Sequence, residues 1–168
     1  MIRNELKDIM KSKTLNIYLN TVFVGVLKKA SSGAISFEYD GEWIENGFAI
    51  SRSMPLSEER YKGEVVTRYF DNLLPDNDEI KKLVATKFGA ESTRSFDLLS
   101  AIGKDCVGAL SFLAKDSEPP TDFEMNYSAL SDKEIEKRLG SLGSTTPLGM
   151  DKEDFRISIA GSQEKTAL

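Results

Sequence analysis

Between Leu15 and Tyr39, apolar side chains recur at every second position in two short stretches. Leu15, Ile17 and Leu19 alternate with Asn16 and Tyr18, the period of a strand with one face buried. Asn20-Thr21 offers a tight turn, and Val22 to Leu27 reads as the hairpin partner. After Ser31-Ser32-Gly33, the alternation resumes at Ile35, Phe37 and Tyr39. A further extended piece is expected over Phe48 to Leu56, limited by Pro55. These pieces predict a small antiparallel sheet.

The period then changes to that of helices. Val65, Val66, Tyr69, Phe70, Leu73 and Leu74 fall on one face of a helix expected over Glu64 to Leu74, with Pro75 as its stop. Asp76 or Asn77 can cap a second helix with Ile80, Leu83, Val84 and Phe88 on its apolar face and Gly89 as C-cap. Ser95 is expected to cap a third, carrying Phe96, Leu98, Leu99 and Ile102 and ended by Gly103. Residues 106 to 114 are apolar apart from Ser111 and read as a buried central strand.

Beyond it the composition shifts. Asp116 to Asn126 contains Pro119-Pro120 among acidic residues and reads as an exposed linker. Ser131 and Glu134 form a capping-box pattern for a helix through Leu139. Gly140 to Gly149 is expected to be loop, and Phe155 to Leu168 strand, turn, strand. The fold class is therefore α+β. The expected division is an extension over 1–14 (with Met1 or Met10 as the start), a first subdomain over 15–115, a linker over 116–130 and a second unit from 131 to 168.

Composition narrows the function. The net charge of −5 argues against a domain that grips DNA by itself, since that requires a basic face. The chain has no histidine, which removes Ser-His and Cys-His catalysis and most zinc sites. Its one cysteine, Cys106, lies beside an apolar run and reads as a small buried hydrophobe. No stretch has the apolar length of a membrane span, and the N-terminus lacks the apolar core of a signal peptide, so a cytoplasmic location is expected.

Candidate chemistry is concentrated at the end of the sequence. In Phe155-Arg156-Ile157-Ser158-Ile159-Ala160-Gly161-Ser162-Gln163-Glu164-Lys165-Thr166, two extended arms flank a turn of small residues. Gly161 and Ser162 at the tip would let backbone N–H groups approach phosphate oxygens, with Lys165 adding charge. An ordinary hairpin with a polar turn fits the spacing equally, because neither GxxxxGK[ST] nor GxGxxG is matched. Elsewhere, Asp97 and Asp105 could be read as paired carboxylates, although Asp97 in a helix's first turn also suits the dipole. Asp71 and Asn72 are expected to make capping or turn contacts. Trp43 could be a core edge or a contact residue.

Four blocks in order carry a family resemblance: Tyr69-Phe70-Asp71-Asn72-Leu73-Leu74-Pro75-Asp76, then Ser95-Phe96-Asp97-Leu98-Leu99-Ser100 with Ile102 to Ala109, then Pro147-Leu148-Gly149-Met150, then Phe155 to Leu168. From about Leu15 onward the chain resembles the HipA-like serine/threonine kinase toxins of bacterial type II toxin–antitoxin systems. The resemblance implies the family's N-terminal subdomain followed by the start of a kinase-like N-lobe. It implies an ATP-contacting loop at Ala160, Gly161, Ser162, Gln163, Glu164 and Lys165, and an autophosphorylated serine at Ser158, where a phosphate would disturb the fit to ATP. It also implies ATP and Mg as cofactors of the complete kinase, an aminoacyl-tRNA synthetase (typically the glutamyl enzyme) as substrate, and growth arrest and drug tolerance as the result. The expected partners are a helix-turn-helix HipB-like antitoxin, DNA only through that antitoxin, and the remaining kinase domain in cis or trans.

The departure from the family is as informative. The later lysine, the catalytic-loop aspartate and asparagine and the magnesium-binding aspartate belong beyond residue 168. No catalytic residue or metal ligand is therefore assigned within the chain, which is expected to be inactive alone. An alternative is a stand-alone subdomain that binds and inhibits a separate HipA-like kinase, as a small subunit does in split relatives. A remnant without activity is a third.

Overall fold

In the computed structural model, the residues described are 13–103, 110–119 and 130–141. The hairpin expected from the first alternation forms: β1 (Lys13–Leu19) and β2 (Val22–Lys29) turn at Asn20-Thr21, with Asn20 left-handed at φ 54°. β3 (Ile35–Tyr39) pairs with β2, and the two-residue β4 (Tyr61–Lys62) pairs with β3. β5 (Leu110–Ala114) pairs with β1 across a long sequence separation. The sheet is antiparallel throughout, in the order β4-β3-β2-β1-β5. The apolar run around β5 is thus at an edge of the described sheet, not at its centre. Its residues from 104 to 109, Cys106 and Asp105 among them, lie outside the described residues.

Helices pack on one face of this sheet. Leu15, Ile17, Leu27, Phe37, Tyr39, Leu110 and Phe112 point into the core beneath α2 (Glu64–Asp71), α3 (Asp78–Phe88) and α4 (Ser95–Ile102). Phe70 of α2 stands between Phe37 and Phe112, with ring centroids 5.8 Å from each in edge-on geometry. Such pairs add about 0.5–1.5 kcal/mol each beyond the area they bury. Register puts the intervening residues, Asn16, Tyr18, Phe23, Val26, Lys28, Glu38, Ser111 and Leu113, on the opposite, outer face.

Several expected boundaries shift for local reasons. The segment before the expected strand at 48–56 forms a helix, α1 (Gly41–Asn46), because the Asp40 carboxylate accepts the Glu42 N–H at 3.0 Å as an N-cap. Residues 48–56 contribute only the isolated bridge Ser51–Met54. The Tyr39 hydroxyl serves this loop instead, donating to the Met54 carbonyl (2.7 Å) and accepting from the Ile50 N–H (3.0 Å). Trp43 is in the core, and its indole N–H donates to the Phe48 carbonyl.

The helix expected to run to Leu74 stops at Asp71, with Asn72 as C-cap. The Leu74 N–H then bonds the Asp71 carbonyl in a turn, so the chain leaves the helix before Pro75 forces it to. Asn77 caps α3 as expected, and Gly89 closes it in the left-handed conformation at φ 71°. Ser95 is not the cap of α4: Arg94 holds that position and Ser95 is buried in the first turn. Glu134 accepts from both the backbone N–H and the hydroxyl of Ser131, and α5 (Asp132–Ser141) runs through Gly140, which was expected to be loop.

Gly25 is the tightest backbone approach in the sheet. It lies at φ 155°, opposite Tyr39, beside an irregularity in the β1–β2 register at Ile17/Tyr18. A Cβ there would run into the Glu38 carbonyl oxygen and come within 2.9 Å of the Tyr39 Cα. Backbone of a neighbouring strand cannot rotate away as a side chain can. Gly25→Ala is therefore expected to cost about 3 kcal/mol, combining backbone strain and overpacking, read as a lowered midpoint in urea unfolding. An unchanged midpoint would show that β2 and β3 separate there without penalty.

Candidate functional site

All residues expected to contact ATP (Ala160, Gly161, Ser162, Gln163, Glu164, Lys165), the expected autophosphorylation site Ser158 and the block 147–150 lie outside the described residues. The first upstream block and the second as far as Gly103 are described, and the fold brings them together under one sheet. From the first, Phe70 and Leu74 enter the core; from the second, Phe96, Leu98 and Leu99 do. The helices bearing the two blocks, α2 and α4, contact each other.

The polar members of these blocks hold structure. Asp71 accepts from Lys81 Nζ at 2.9 Å, tying the end of α2 to the first turns of α3; Lys81 is buried although its carboxylate partner is half in water. Asn72 supplies the helix end, so the capping and turn roles expected for this pair hold. Asp97 is 4% exposed. Lys29 Nζ lies 2.6 Å from one of its oxygens, and the Ser92 hydroxyl donates to the other, also at 2.6 Å. Lys29 further lies 5.7 Å from the centre of the Phe96 ring and 4.0 Å from Glu91, which also pairs with Lys13. Strand β2 is thereby fastened to the start of α4.

A carboxylate held this way is a poor acid–base catalyst. Burial alone would raise the pKa of Asp97, but the hydrogen bonds from Lys29 and Ser92, with the Lys29 charge and a smaller effect of Lys13, outweigh it and hold the carboxyl below its ordinary value. It stays ionised and has little access to water, so it neither takes nor gives a proton near neutral pH. Lys29 and Ser92 were missed in reading the sequence. A signal for Lys29 was present: it shares the inward face of β2 with Leu27, and a lysine on a buried face demands a carboxylate.

A second charged group occupies the outer face. Glu38 accepts from Lys28 and Arg60, each at 3.1 Å. Burial would raise its pKa as well, and these two cations together lower it. Tyr69, packed edge-on against Phe70, has its phenol pushed up to about 12 by burial, with a further contribution from Tyr39. Among the described residues, no group of three or more His, Cys, Asp or Glu side chains could hold a metal ion. No helix among them is long and apolar enough to cross a membrane.

The Lys29–Asp97 contact has a pH signature. Because folding lowers the pKa of Asp97, its contribution is complete above the unfolded-state value of about 3.9 and is lost as pH falls through the folded-state value. Urea midpoints measured from pH 7 down to pH 3 are expected to fall more steeply for the native sequence than for Asp97→Asn. Lys29→Ala leaves a buried carboxylate without its cation and is expected to cost about 3 kcal/mol at pH 7, the low end for buried pairs because Lys29 keeps some contact with water. Parallel pH profiles for the native chain and Asp97→Asn would refute this role.

Comparisons with known proteins agree with this arrangement. A profile described as "HipA N-terminal domain" matches residues 15–113, the span from β1 to the penultimate residue of β5. The putative kinase Y4mE of Sinorhizobium fredii is 30% identical over 165 residues, covering 95% of this chain and 39% of its own length. The serine/threonine-protein kinase toxin HipA of Shewanella oneidensis is 27% identical over 159 residues, covering 94% of this chain and 35% of its own. The chain thus spans well under half the length of these curated relatives. Among solved structures, the complex of Shewanella oneidensis HipA with HipB and its operator DNA superposes with a TM-score of 0.62 at 24% identity, over 88% of this chain and 33% of that one, a likeness of fold. The profile matches residues 15–113, the span in which the described strands β1 to β5 and helices α1 to α4 lie, and the chain belongs to the HipA N-terminal domain family.

Proposed function

We propose that this chain is the N-terminal part of a HipA-like toxin kinase which, as a complete polypeptide, phosphorylates an aminoacyl-tRNA synthetase, the glutamyl enzyme by preference, and so arrests growth. The observation that carries this reading is that similarity to the two kinase relatives covers 95% and 94% of the chain, well past the end of the domain at residue 113. The described domain itself supplies packing and ion pairs rather than a reactive group, so it serves as scaffold and docking module for chemistry performed by the rest of the kinase.

On this reading, Ala160 to Lys165 surround the phosphates of ATP, with Gly161 and Ser162 letting backbone N–H groups come close. ATP with Mg supplies the phosphoryl group when bound. Ser158 is the self-modified position, and a phosphate there repels the nucleotide. A helix-turn-helix HipB-like antitoxin is the partner in the cytoplasm, and operator DNA is reached through it. The net charge of −5 supports that indirect route, because direct binding to the phosphate backbone needs a basic face.

A second reading is favoured by one feature: among the described residues, the core cluster runs from Leu15 in β1 to Phe112 in β5. Such a unit suits a separate subunit that binds and inhibits a HipA-like kinase in trans.

Two assays separate these readings. The 168-residue chain with labelled ATP and Mg is expected to transfer no phosphate to glutamyl-tRNA synthetase, whereas a polypeptide extended through the kinase portion of the relatives transfers it; an extended polypeptide that modifies no aminoacyl-tRNA synthetase defeats the first reading. Added to a separate HipA-like kinase, the 168-residue chain is expected to leave autophosphorylation unchanged. Strong inhibition there would favour the second reading instead.

A further inference from the structure

Among the described residues, two large apolar side chains stand mostly in water: Phe48, 59% exposed, and Val22, 55% exposed. They lie at the same end of the sheet. The Asp40 N–H bonds the Val24 carbonyl at 2.9 Å, which sets α1 beside the start of β2, where Val22 is the first residue. Phe48 is the second residue beyond α1.

A lone apolar residue on a surface needs no explanation, but Phe48 is held in place by Trp43. The Gly47 N–H donates to the Trp43 carbonyl at 2.7 Å, and the Trp43 indole N–H donates to the Phe48 carbonyl at 2.9 Å. Gly47 lies so close to the indole that a Cβ would come within 2.5 Å of a ring atom. The Phe48 ring is 5.4 Å from the Trp43 ring, tilted by 58°, and Trp43 itself belongs to the core. Phe48 is thus an exposed aromatic on a buried, rigid foundation. Little conformational freedom is lost when a partner covers such a ring, which is the property of an interface anchor.

Charge selects the partner. Beside Phe48, α1 carries Glu42 and Glu45, both exposed, and Asp40 caps it. None of these three carboxylates forms an ion pair among the described residues, whereas Glu38, Glu64, Asp71, Glu91 and Asp97 each do. A surface of this sign repels nucleic-acid phosphates and anionic lipid headgroups. It suits a cation, and the face of an exposed aromatic ring attracts one as well. At the far end of the sheet Lys13, Lys28 and Lys29 are already engaged by Glu91, Glu38 and Asp97, so a second copy of the chain does not offer them.

We propose that the end of the sheet carrying Phe48, Glu42, Glu45 and Val22 is a docking site for a polypeptide segment with arginine or lysine next to an apolar residue. The cation lies against the Phe48 ring and the two glutamates, and the apolar residue covers the rest of the exposed apolar surface. This site adds a partner to either reading of the function and depends on neither.

Trp43, the one tryptophan of the chain, reports on the site because its ring touches Phe48. The 168-residue chain is titrated with a short synthetic peptide of arginine and leucine, and with the same peptide carrying glutamate in place of arginine. Trp43 emission and calorimetry are followed together. Saturable binding is expected for the arginine peptide and none for the glutamate peptide. Phe48→Ala is expected to weaken binding roughly tenfold with little change in the urea midpoint; if it fails to fold, Phe48→Leu takes its place. Glu42→Gln with Glu45→Gln is expected to weaken binding several-fold and to flatten its dependence on salt. Asp78→Asn with Glu79→Gln, an equal change of charge at the start of α3, leaves it unchanged. The proposal is overturned by the absence of saturable binding, by native affinity in the folded Phe48 variant, or by equal effects of the two charge changes, which would mean a general attraction to an acidic protein. A native chain that dimerises in sedimentation, with the dimer lost in Phe48→Ala, overturns it as well and assigns this end to a second copy.

Discussion

The fold depends on one ring. Phe70 stands edge-on between Phe37 of β3 and Phe112 of β5, two strands kept apart in the sheet by β2 and β1. Sheet twist alone would leave those strands diverging. A single aromatic reaching both from above draws the sheet around α2 and fixes the depth at which that helix sits. The neighbouring constraints follow from this. Lys81 must hold Asp71 at the end of α2, and Gly103 must lie close to Phe112, where a Cβ would come within 2.6 Å of the Phe112 Cβ.

The two fastened ends of the sheet differ in kind. Around Phe70 the contacts are apolar and insensitive to pH. At the Lys29–Asp97–Ser92 cluster they are ionic, buried and directional. An ion pair of this sort adds little net stability over an apolar replacement, because desolvation offsets much of the attraction. It does specify one arrangement, since sliding α4 along β2 would strand a buried charge. The family block around Asp97 thus reads as a device for positioning, not for acid–base chemistry.

Much of the fold was legible where one rule acted alone. Period-two alternation located β1, β2 and β3, and Asn77 with Gly89 delimited α3 at both ends. The sequence misled where two rules competed. The helix Gly41–Asn46, capped by Asp40, was not anticipated, and over 48–56, expected to be extended, the Tyr39 hydroxyl satisfied backbone that would otherwise have required a strand. The buried character of β5 was correct, but burial on both faces was taken to mean a central position, whereas an edge strand gains it when its outer face is covered. An ATP loop at Ala160 to Lys165 is expected only through family resemblance and lies outside the described residues, because small residues in a hairpin turn do not by themselves distinguish a phosphate cradle from an ordinary turn.

The pairing of β1 with β5 has a consequence for synthesis. The β1–β2 hairpin is local and can form as soon as it leaves the ribosome, but the other edge of β1 meets its partner only across a sequence separation of 99 at the Asn16–Lys115 contact. Closing so long a loop is slow. Until residue 114 has emerged, β1 presents an unpaired edge and an uncovered apolar face to solvent. Protection of the nascent chain during that interval then depends on chaperones or on the speed of translation, and a pause before residue 114 would be more hazardous to this domain than one after it.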